Sequence, residues 1–286
     1  MLLINLMETV LDILNKTTPW LAKRGIETAR LDAELLLAHV LNCKRLDLYL
    51  QFDRPLEQVT LEQLRPLVRR RGEREPLQYI VGSTSFYGYS IQCDKRALIP
   101  RSETEQLITL AEAEGGEEPA RILELGTGTG AIAIALAHAY PEAHITAIDK
   151  SADALALAAK NIEAQGLSGR VSLVESDWYA NVDGRFDWII SNPPYLTEAE
   201  LQSAQSEVQK YEPVSALVAG KDGMADIRRI ILEAPEYLNA GGYVFLETGI
   251  AQREPLEVAA KEAGFTQFAS HQDYSGRDRF FSLQKG

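Results

Sequence analysis

Apolar residues in the first quarter of the chain recur at helical spacing. Two stripes of this kind lie between Leu31 and Leu41 and between Leu61 and Val68. The apolar run at the start of the chain is interrupted by Glu8 and Asp12, which predicts an amphipathic helix rather than a signal peptide. Because strand-like runs are absent up to about Arg74, we expect a small helical bundle. Three prolines are expected to mark helix boundaries or early helix turns: Pro19, Pro55 and Pro66.

Between Gln78 and Asp94 the pattern changes to alternating aromatic or β-branched residues and small residues. This alternation, in which Gly82 and Gly88 are among the small residues, predicts a β-hairpin that links two domains.

From Arg121 onward, short apolar runs alternate with helical patterns, which predicts a parallel sheet with helices on both faces. The last two runs have no helix between them and predict an antiparallel pair at the sheet edge. Five strands are predicted at Arg121–Leu125, His144–Asp149, Val171–Glu175, Phe186–Ser191 and Tyr243–Glu247, followed by the edge runs Phe265–His271 and Arg279–Leu283. Helices are predicted at Ala131–Ala139, Ala152–Gln165 and Ile227–Leu238, with Ser151 as the N-cap of the second.

Length and composition limit the number of domains and the class of protein that fit this α/β interpretation. The chain has 286 residues, 45 % of them hydrophobic, which is enough for one medium and one small domain. No run approaches the roughly 20 apolar residues of a membrane span, so we expect a cytoplasmic protein. The two cysteines and four histidines show no zinc-site spacing, so no metal is expected.

The net charge of −12 is unevenly distributed. Residues 1–90 carry 12 basic and 11 acidic side chains, whereas the rest of the chain carries 17 and 30. A strongly acidic body disfavours nucleic acid as the main partner, because such binding relies on neutralising phosphates. The one basic cluster, Arg69 to Arg71 with Arg74, is interpreted as a solvated helix end, with a docking surface as the alternative.

A glycine-rich loop follows the first predicted strand and opens the next helix. Gly126, Thr127, Gly128, Thr129 and Gly130 allow a tight turn and a close ligand approach at the helix N-terminus. Asp149 ends the next strand, where an acidic side chain can bind ribose hydroxyls. This arrangement predicts a nucleoside cofactor. It also satisfies the relaxed dinucleotide fingerprint, so a dehydrogenase stays open at this point.

The third strand runs into Asp177 and Trp178. The carboxylate of Asp177 can accept from an adenine amino group, and the ring of Trp178 can lie against the base. The alternative interpretations are a helix cap and a core aromatic residue.

The tetrapeptide Asn192-Pro193-Pro194-Tyr195 comes directly after the fourth strand, where ligands bind in open α/β sheets. Its prolines fix the backbone and remove two donors, so carbonyl oxygens can face the site. The Asn192 side-chain oxygen and the Pro193 carbonyl then form two fixed acceptors, which match the two donors of a planar NH2 group. Tyr195 can pack against a flat substrate. The tetrapeptide therefore predicts methylation of a planar nitrogen, most simply a side-chain amide.

At this point the sequence resembles the bacterial protein-(glutamine-N5) methyltransferases that modify class 1 peptide chain release factors. The resemblance covers nearly the whole chain. The segments that carry it, besides the glycine loop and tetrapeptide, are Asp32–Leu37, Gln78–Gly82, Phe86–Gly88, Leu98–Glu105, Asp149, Asp177–Trp178, Tyr211–Pro213, Asp222–Gly223 and Gly276–Arg279.

The resemblance implies a class I methyltransferase Rossmann-like fold, mostly parallel with an antiparallel edge strand, and S-adenosyl-L-methionine as cofactor. It implies that residues 126–130 line the methionine part, that Asp149 holds the ribose, that Trp178 borders the adenine, and that residues 192–195 hold the glutamine of a Gly-Gly-Gln motif. The implied domains are a helical substrate-docking domain (1–75), a hairpin linker (76–95) and a catalytic domain (96–286). The implied partner is a release factor, with no direct nucleic-acid target and no membrane.

Two positions depart from the family pattern. Glu124 stands where Asp is usual, and Ser102 replaces a common proline. The alternatives kept open are a ribosomal-protein glutamine methyltransferase and an adenine-N6 DNA methyltransferase, both of which share the tetrapeptide. A dehydrogenase leaves the tetrapeptide unexplained, and an inactive cofactor-binding adaptor is disfavoured by the intact Asn192.

Overall fold

The computed structural model describes residues 8–286 and divides the chain into two compact units. The first unit comprises Met1–Gly82, of which the structure describes the part from Glu8 onward, together with Ser206–Tyr211; the second comprises Ser83–Gln205 and Glu212–Gly286. The first seven residues of the run interpreted as an amphipathic helix lie outside the described residues. The contact-based division differs from the predicted domains, because the hairpin belongs to the second unit and a short later segment belongs to the first.

The first unit is helical, as its apolar stripes predict. Its helices are α1 (Val10–Ala22), α2 (Ala29–Leu41), α3 (Arg45–Tyr49), α4 (Gln58–Gly72), α5 (Leu77–Val81) and, in chain order the tenth, α10 (Ser206–Tyr211). The Thr9 hydroxyl caps α1 by accepting from the Asp12 amide at 3.2 Å. Leu36, Leu37 and Leu64 pack in the core that these helices share.

The expectation that Pro19 and Pro66 mark helix ends or early turns is wrong. Pro19 lies inside α1 and Pro66 lies inside α4. Both prolines are on exposed faces of their helices, where water can satisfy the carbonyl that loses its helical partner. Packing of the opposite, apolar faces keeps the helices continuous.

The interpretation of the arginine cluster as a solvated helix end is also wrong for two of its members. The Arg71 side chain is buried and donates to Asp32 on α2 at 2.6 Å and to Glu207 on α10 at 2.9 Å. Arg74 donates to the second oxygen of Glu207 at 2.6 Å. Glu207 lies 136 residues beyond Arg71, so no local pattern reveals this ion network.

The second unit begins with the hairpin β1 (Ser83–Phe86) and β2 (Tyr89–Gln92). Its turn places Tyr87 and Gly88 at positive φ, of 50° and 84°. The hairpin prediction is thus confirmed for Ser83–Gln92, whereas Leu77–Val81 is helical.

The main sheet of this unit has seven strands in the order β5-β4-β3-β6-β7-β9-β8. The strands β3 to β7 are parallel, and β9 pairs antiparallel with both β7 and β8, as predicted for the edge. The strands are β3 (Arg121–Leu125), β4 (His144–Asp149), β5 (Val171–Glu175), β6 (Phe186–Ser191), β7 (Leu238–Glu247), β8 (Gln267–Gln272) and β9 (Asp278–Gln284).

Helices cover the sheet. They are α6 (Ser102–Glu114), α7 (Ala131–Ala139), α8 (Ala152–Ala164), α11 (Ala225–Tyr237) and α12 (Arg253–Glu262). The short helix α9 (Glu198–Ser203), which has no buried residue, and a 3-10 turn at Val214–Ala216 lie in the connection between β6 and α11. Ser151 caps α8 as predicted, accepting from the Ala154 amide at 3.2 Å. The alternating pattern therefore produces the predicted doubly covered α/β sheet.

Candidate active site

A pocket lies at the carboxyl ends of the parallel strands. The chain leaves β3 toward β4 on one side, while β6 lies on the other side of β3, so this is the topological switch point of the sheet. The loops after β3, β4, β5 and β6 all contribute to the pocket wall. Its lining comprises Phe86, Arg96–Leu98, Pro100, Arg101, Thr104, Glu124, Gly126–Thr129, Ala131, Ile132, Ile148–Ser151, Ala154, Ser176–Trp178, Asn192, Pro194, Pro213, Ser215 and Ala216.

The glycine loop forms one wall of this pocket. Gly126 and Gly128 have φ angles of 73° and 54°, a region that L side chains rarely adopt. Gly130 is not among the lining residues; a Cβ added there would lie 3.3 Å from the Cβ of Ala158, so this glycine serves helix packing. Thr127 and Thr129 are buried beside the loop and complete the wall.

Two carboxylates hold the loop in place. Asp149 accepts from the amide of Gly128 and from the amide of Ser151, both at 2.9 Å. Glu124 is buried and uses one oxygen to accept from the Thr127 hydroxyl at 2.7 Å and from the Ala133 amide at 3.1 Å. Its other oxygen, Oε1, is buried without a hydrogen-bond partner. Burial raises the pKa of Glu124 to about 8.

The segment after β5 places Trp178 at the pocket and in the apolar core at once. Its backbone has a φ of 52°, and its indole nitrogen donates to Asp226 at 3.1 Å, which fixes the ring. Asp177 also lines the pocket, but its exposed carboxylate already accepts from Arg229 at 2.9 Å. The Asp177 carboxylate, which was predicted to accept from an adenine amino group, is therefore paired with the guanidinium of Arg229 in the structure.

The tetrapeptide contributes Asn192 and Pro194 to the pocket wall, whereas Pro193 and Tyr195 are not among the lining residues. Pro193 is buried, and Tyr195 is half-buried. The Tyr195 hydroxyl donates to Glu247 at 3.0 Å, and the guanidinium of Arg279 lies 5.6 Å from the centroid of its ring. Burial raises the pKa of Tyr195 well above its usual range, so the phenol remains protonated.

A chain of two hydrogen bonds holds the side chain of Asn192. Its Nδ2 donates to the hydroxyl of Thr104 at 3.0 Å, and that hydroxyl donates to Glu247 at 2.6 Å. Thr104 lies in the first turn of α6 and Glu247 at the end of β7. Three elements distant in sequence thus converge on one amide.

Known proteins resemble this chain over most of its length. The family described as PrmC N-terminal domain matches residues 12–82, and the family described as Methyltransferase small domain matches residues 104–210. A protein of Geobacter sulfurreducens named release factor glutamine methyltransferase is 42 % identical over 95 % of both chains. A protein of the same name from Chlorobaculum tepidum is 40 % identical over 96 % of both chains.

The chain belongs to the release factor glutamine methyltransferase family. It is therefore a methyltransferase. A crystal structure of a methyltransferase from Pyrococcus furiosus superposes with a TM-score of 0.52 at 20 % identity, covering 79 % of this chain and 99 % of that one. At that identity the likeness concerns the fold alone, and it agrees with the class I methyltransferase architecture expected from the sequence.

Sequence reasoning had assigned no role to several residues that shape the site of this methyltransferase. Thr104 and Glu247 are the main ones, and the sequence contains a feature at each position that could have indicated its role. Glu247 is the polar end of an apolar strand at the ligand-binding edge, and Thr104 lies in the Leu98–Glu105 segment that carries the family resemblance. Arg101 and Glu212 are a second pair, joined at 2.6 Å, that anchors the same segment.

Within residues 8–286, no helix combines the length and the apolar character of a membrane span. In the same described part of the chain, no group of three or more His, Cys, Asp or Glu side chains is arranged to hold a metal ion.

Proposed function

We propose that this methyltransferase transfers a methyl group from S-adenosyl-L-methionine to the side-chain amide N5 of the glutamine in the Gly-Gly-Gln motif of peptide chain release factors. The observation that carries the proposal is the Asn192 amide, fixed at the pocket wall with its nitrogen turned toward Thr104. The names of the relatives support the choice of substrate.

The pocket residues fit the cofactor. The Oε1 of Glu124 has no hydrogen-bond partner, and in the ionised form of this carboxyl it can accept from the ammonium group of the cofactor's methionine part. The positive charge of that group would itself favour the ionised form. Asp149 retains lone pairs for ribose hydroxyls beyond the two amides that it accepts from. The fixed ring of Trp178 and the side chain of Ile148 offer apolar surface for the base. When bound, the cofactor supplies an electrophilic methyl group on its sulfonium sulfur.

The protein's task is to present the nucleophile, because an amide lone pair is delocalised into its carbonyl. The Asn192 oxygen and the Pro193 carbonyl each accept one hydrogen of the substrate NH2, which aligns the nitrogen and stabilises the positive charge that develops on it. With the cofactor bound, the substrate nitrogen would gain the methyl group and would lose one of its two hydrogens as a proton to solvent. No strong base is required before transfer.

The proposal is tested with labelled cofactor and a panel of purified release factors, ribosomal proteins and DNA. We expect label on the release factors, mapped by mass spectrometry to the glutamine of Gly-Gly-Gln, and none on a variant substrate with glutamate at that position. Label on a ribosomal protein or on adenine, with none on release factors, would overturn the substrate assignment.

Asn192→Ala tests the role of the tetrapeptide. We expect kcat to fall by roughly two orders of magnitude or more, the scale for a lost positioning donor or acceptor, while the cofactor Kd stays within a few-fold. Asn239→Ala is the matched control, because Asn239 lies outside the pocket and donates to Asp187. Unchanged turnover in Asn192→Ala would remove the tetrapeptide from the mechanism.

We further propose that the helical unit docks the protein substrate, through the apolar side chains on α3. Leu46 on α3 is 68 % exposed, and Leu50, the residue directly after its last turn, is 83 % exposed. Leu50→Glu should raise the KM for an intact release factor several-fold and leave the cofactor Kd unchanged. Val258→Glu, at an exposed apolar position on α12, is the control. Equal effects of the two substitutions would speak against docking through α3.

A further inference from the structure

Three polar groups behind Asn192 form a buried chain of hydrogen bonds. The chain runs from Asn192 to Thr104 and on to Glu247, and Tyr195 joins it at the other oxygen of that carboxylate. Thr104 and Glu247 are 4 % and 1 % exposed, so water is largely excluded from the chain. Neither side chain is needed to bind the cofactor in the function proposed above.

The direction of each hydrogen bond in the chain follows from the donors available. Each oxygen of Glu247 accepts one hydrogen bond in the structure, one from the Thr104 hydroxyl and one from the Tyr195 hydroxyl. A threonine hydroxyl has a single hydrogen, and Thr104 gives it to Glu247 at 2.6 Å. Thr104 can therefore only accept from Asn192, which makes the group facing it the NH2 and not the oxygen.

The side-chain amide of Asn192 has no preferred orientation of its own. A primary amide presents a donor on one side and an acceptor on the other, and a rotation by 180° exchanges them with almost no change in shape. Turned the wrong way, Asn192 would point an NH2 group at the substrate NH2, and two donors would face each other. An acceptor for the substrate is obtained only if something outside the asparagine sets its orientation.

We propose that Thr104 and Glu247 are positioning residues that set the orientation of the Asn192 amide, so that its oxygen faces the pocket as an acceptor. This inference rests on the proposed function, which assigns that oxygen to the substrate NH2. Glu247 acts through both hydroxyls, because it also fixes Tyr195 at the end of the tetrapeptide. Neither positioning residue touches the reacting atoms.

The test compares Thr104→Val with Thr104→Ser in the full-length enzyme. Valine keeps the shape and removes the hydroxyl, whereas serine keeps the hydroxyl and removes a methyl group. We expect Thr104→Val to lower kcat by roughly ten- to a hundredfold, the scale of a misplaced reacting group, with the KM for the release factor and the cofactor Kd changed far less. Thr104→Ser should recover most of the lost turnover. Thermal unfolding of both variants reports whether the fold is intact.

A second measurement does not depend on the substrate. In spectra of asparagine-labelled enzyme, the Asn192 NH2 signals are assigned by their loss in Asn192→Asp. We expect one of its hydrogens to be shifted downfield and to exchange slowly in the wild type and in Thr104→Ser. In Thr104→Val that hydrogen should move to the position of a free amide.

The outcomes separate the two proposals. If the wild type methylates no glutamine substrate, the proposed function fails, and the amide signals alone decide whether Thr104 orients Asn192. If Thr104→Val keeps full turnover, or if valine and serine reduce it equally, the hydroxyl has no positioning role. Unchanged Asn192 signals in Thr104→Val would overturn the inference in the same way.

Discussion

Both units of the molecule bury carboxylates that pair with arginines, but the sheet unit also buries two that have no cation beside them among the described residues. In the helical unit, Asp32 and Glu207 face the buried guanidinium of Arg71 at 2.6 and 2.9 Å. In the sheet unit, Glu124 and Glu247 are each 1 % exposed, and no ion pair joins either of them to a cation within residues 8–286. Hydroxyls and a backbone amide are their hydrogen-bond donors instead.

The pKa values follow this difference. Burial alone would raise the pKa of Glu207, but hydrogen bonds from Arg71 and Arg74 outweigh burial and lower it. Burial raises the pKa of Glu124 to about 8 and also raises that of Glu247, against the hydrogen bonds from their neighbours. Of the two buried carboxylates without a cation, Glu124 lines the pocket and Glu247 accepts from Thr104, which lines it. Buried carboxylates with shifted pKa values are common at functional sites.

We expect the largest effect on stability from removing the guanidinium that Asp32 and Glu207 share. Arg71→Met leaves two buried carboxylates without their shared cation and should lower the free energy of unfolding by about 3–5 kcal/mol. Hydrogen exchange of the amides in α2 and α4 measures this within the full-length chain. Arg70→Met is the control, because the Arg70 pair with Glu75 is partly exposed and should contribute less than about 1 kcal/mol. Similar losses in both variants would mean that burial of the Arg71 network is not what stabilises the unit.

The second-largest effect, on cofactor affinity, is expected at Asp149, which is half-buried and accepts hydrogen bonds only from backbone amides. Asp149→Ala should weaken cofactor binding by about 1.5–3 kcal/mol, the scale of hydrogen bonds to a charged group, and leave the fold intact. Isothermal titration gives the Kd. Asp153→Ala, in the exposed first turn of α8, is the control. Normal cofactor affinity in Asp149→Ala would refute the ribose assignment.

The unpaired Glu124 predicts a pH dependence of stability. Its pKa of about 8 in the folded protein lies above the ordinary value of 4.5. Between these values the folded chain keeps a proton that the unfolded chain has lost, so this contribution to stability is complete below the lower value and is lost as pH rises through the higher one. The slope is at most about 1.4 kcal/mol per pH unit.

Glu124→Gln removes this titration. The free energy of unfolding of Glu124→Gln, relative to wild type, should therefore rise between pH 4.5 and 8, as measured by urea unfolding at several pH values. A difference that does not vary with pH would show that the Glu124 carboxyl is ionised throughout this range.

The smallest effect compares one thiol from each unit. Cys43 is partly exposed in the helical unit, whereas Cys93 is buried beside the hairpin and donates to the Ile91 carbonyl. Burial raises the pKa of Cys93 to about 12 and raises that of Cys43 as well. A thiol-alkylating reagent at pH 8 should modify Cys43 at least about tenfold faster, as judged by mass spectrometry. Equal rates would indicate that the hairpin region opens readily.

Much of the sheet unit could be predicted because its signals are local. The strands β3, β4, β5 and β6 have the predicted bounds, since apolar runs bounded by turn residues define a buried parallel strand. The helix α6 was not predicted; Ser102 stands at its first position, where proline is the stronger signal, and its apolar residues are few. The roles assigned to Asp149, Trp178 and Asn192 remain predictions, although the fold brings all three to one pocket.

The sequence by itself determined the helical and α/β units, the glycine turn and the tetrapeptide at the end of a strand, because periodicity, φ preference and proline geometry act between near neighbours. Only the tertiary structure decided which carboxylates meet a cation and which way the Asn192 amide points. The first choice depends on the contact between Glu207 and Arg71, which are 136 residues apart, and the second on the contact between Glu247 and Thr104, which are 143 residues apart. Hydrogen bonds between residues so distant in the chain produce no periodic pattern in the sequence.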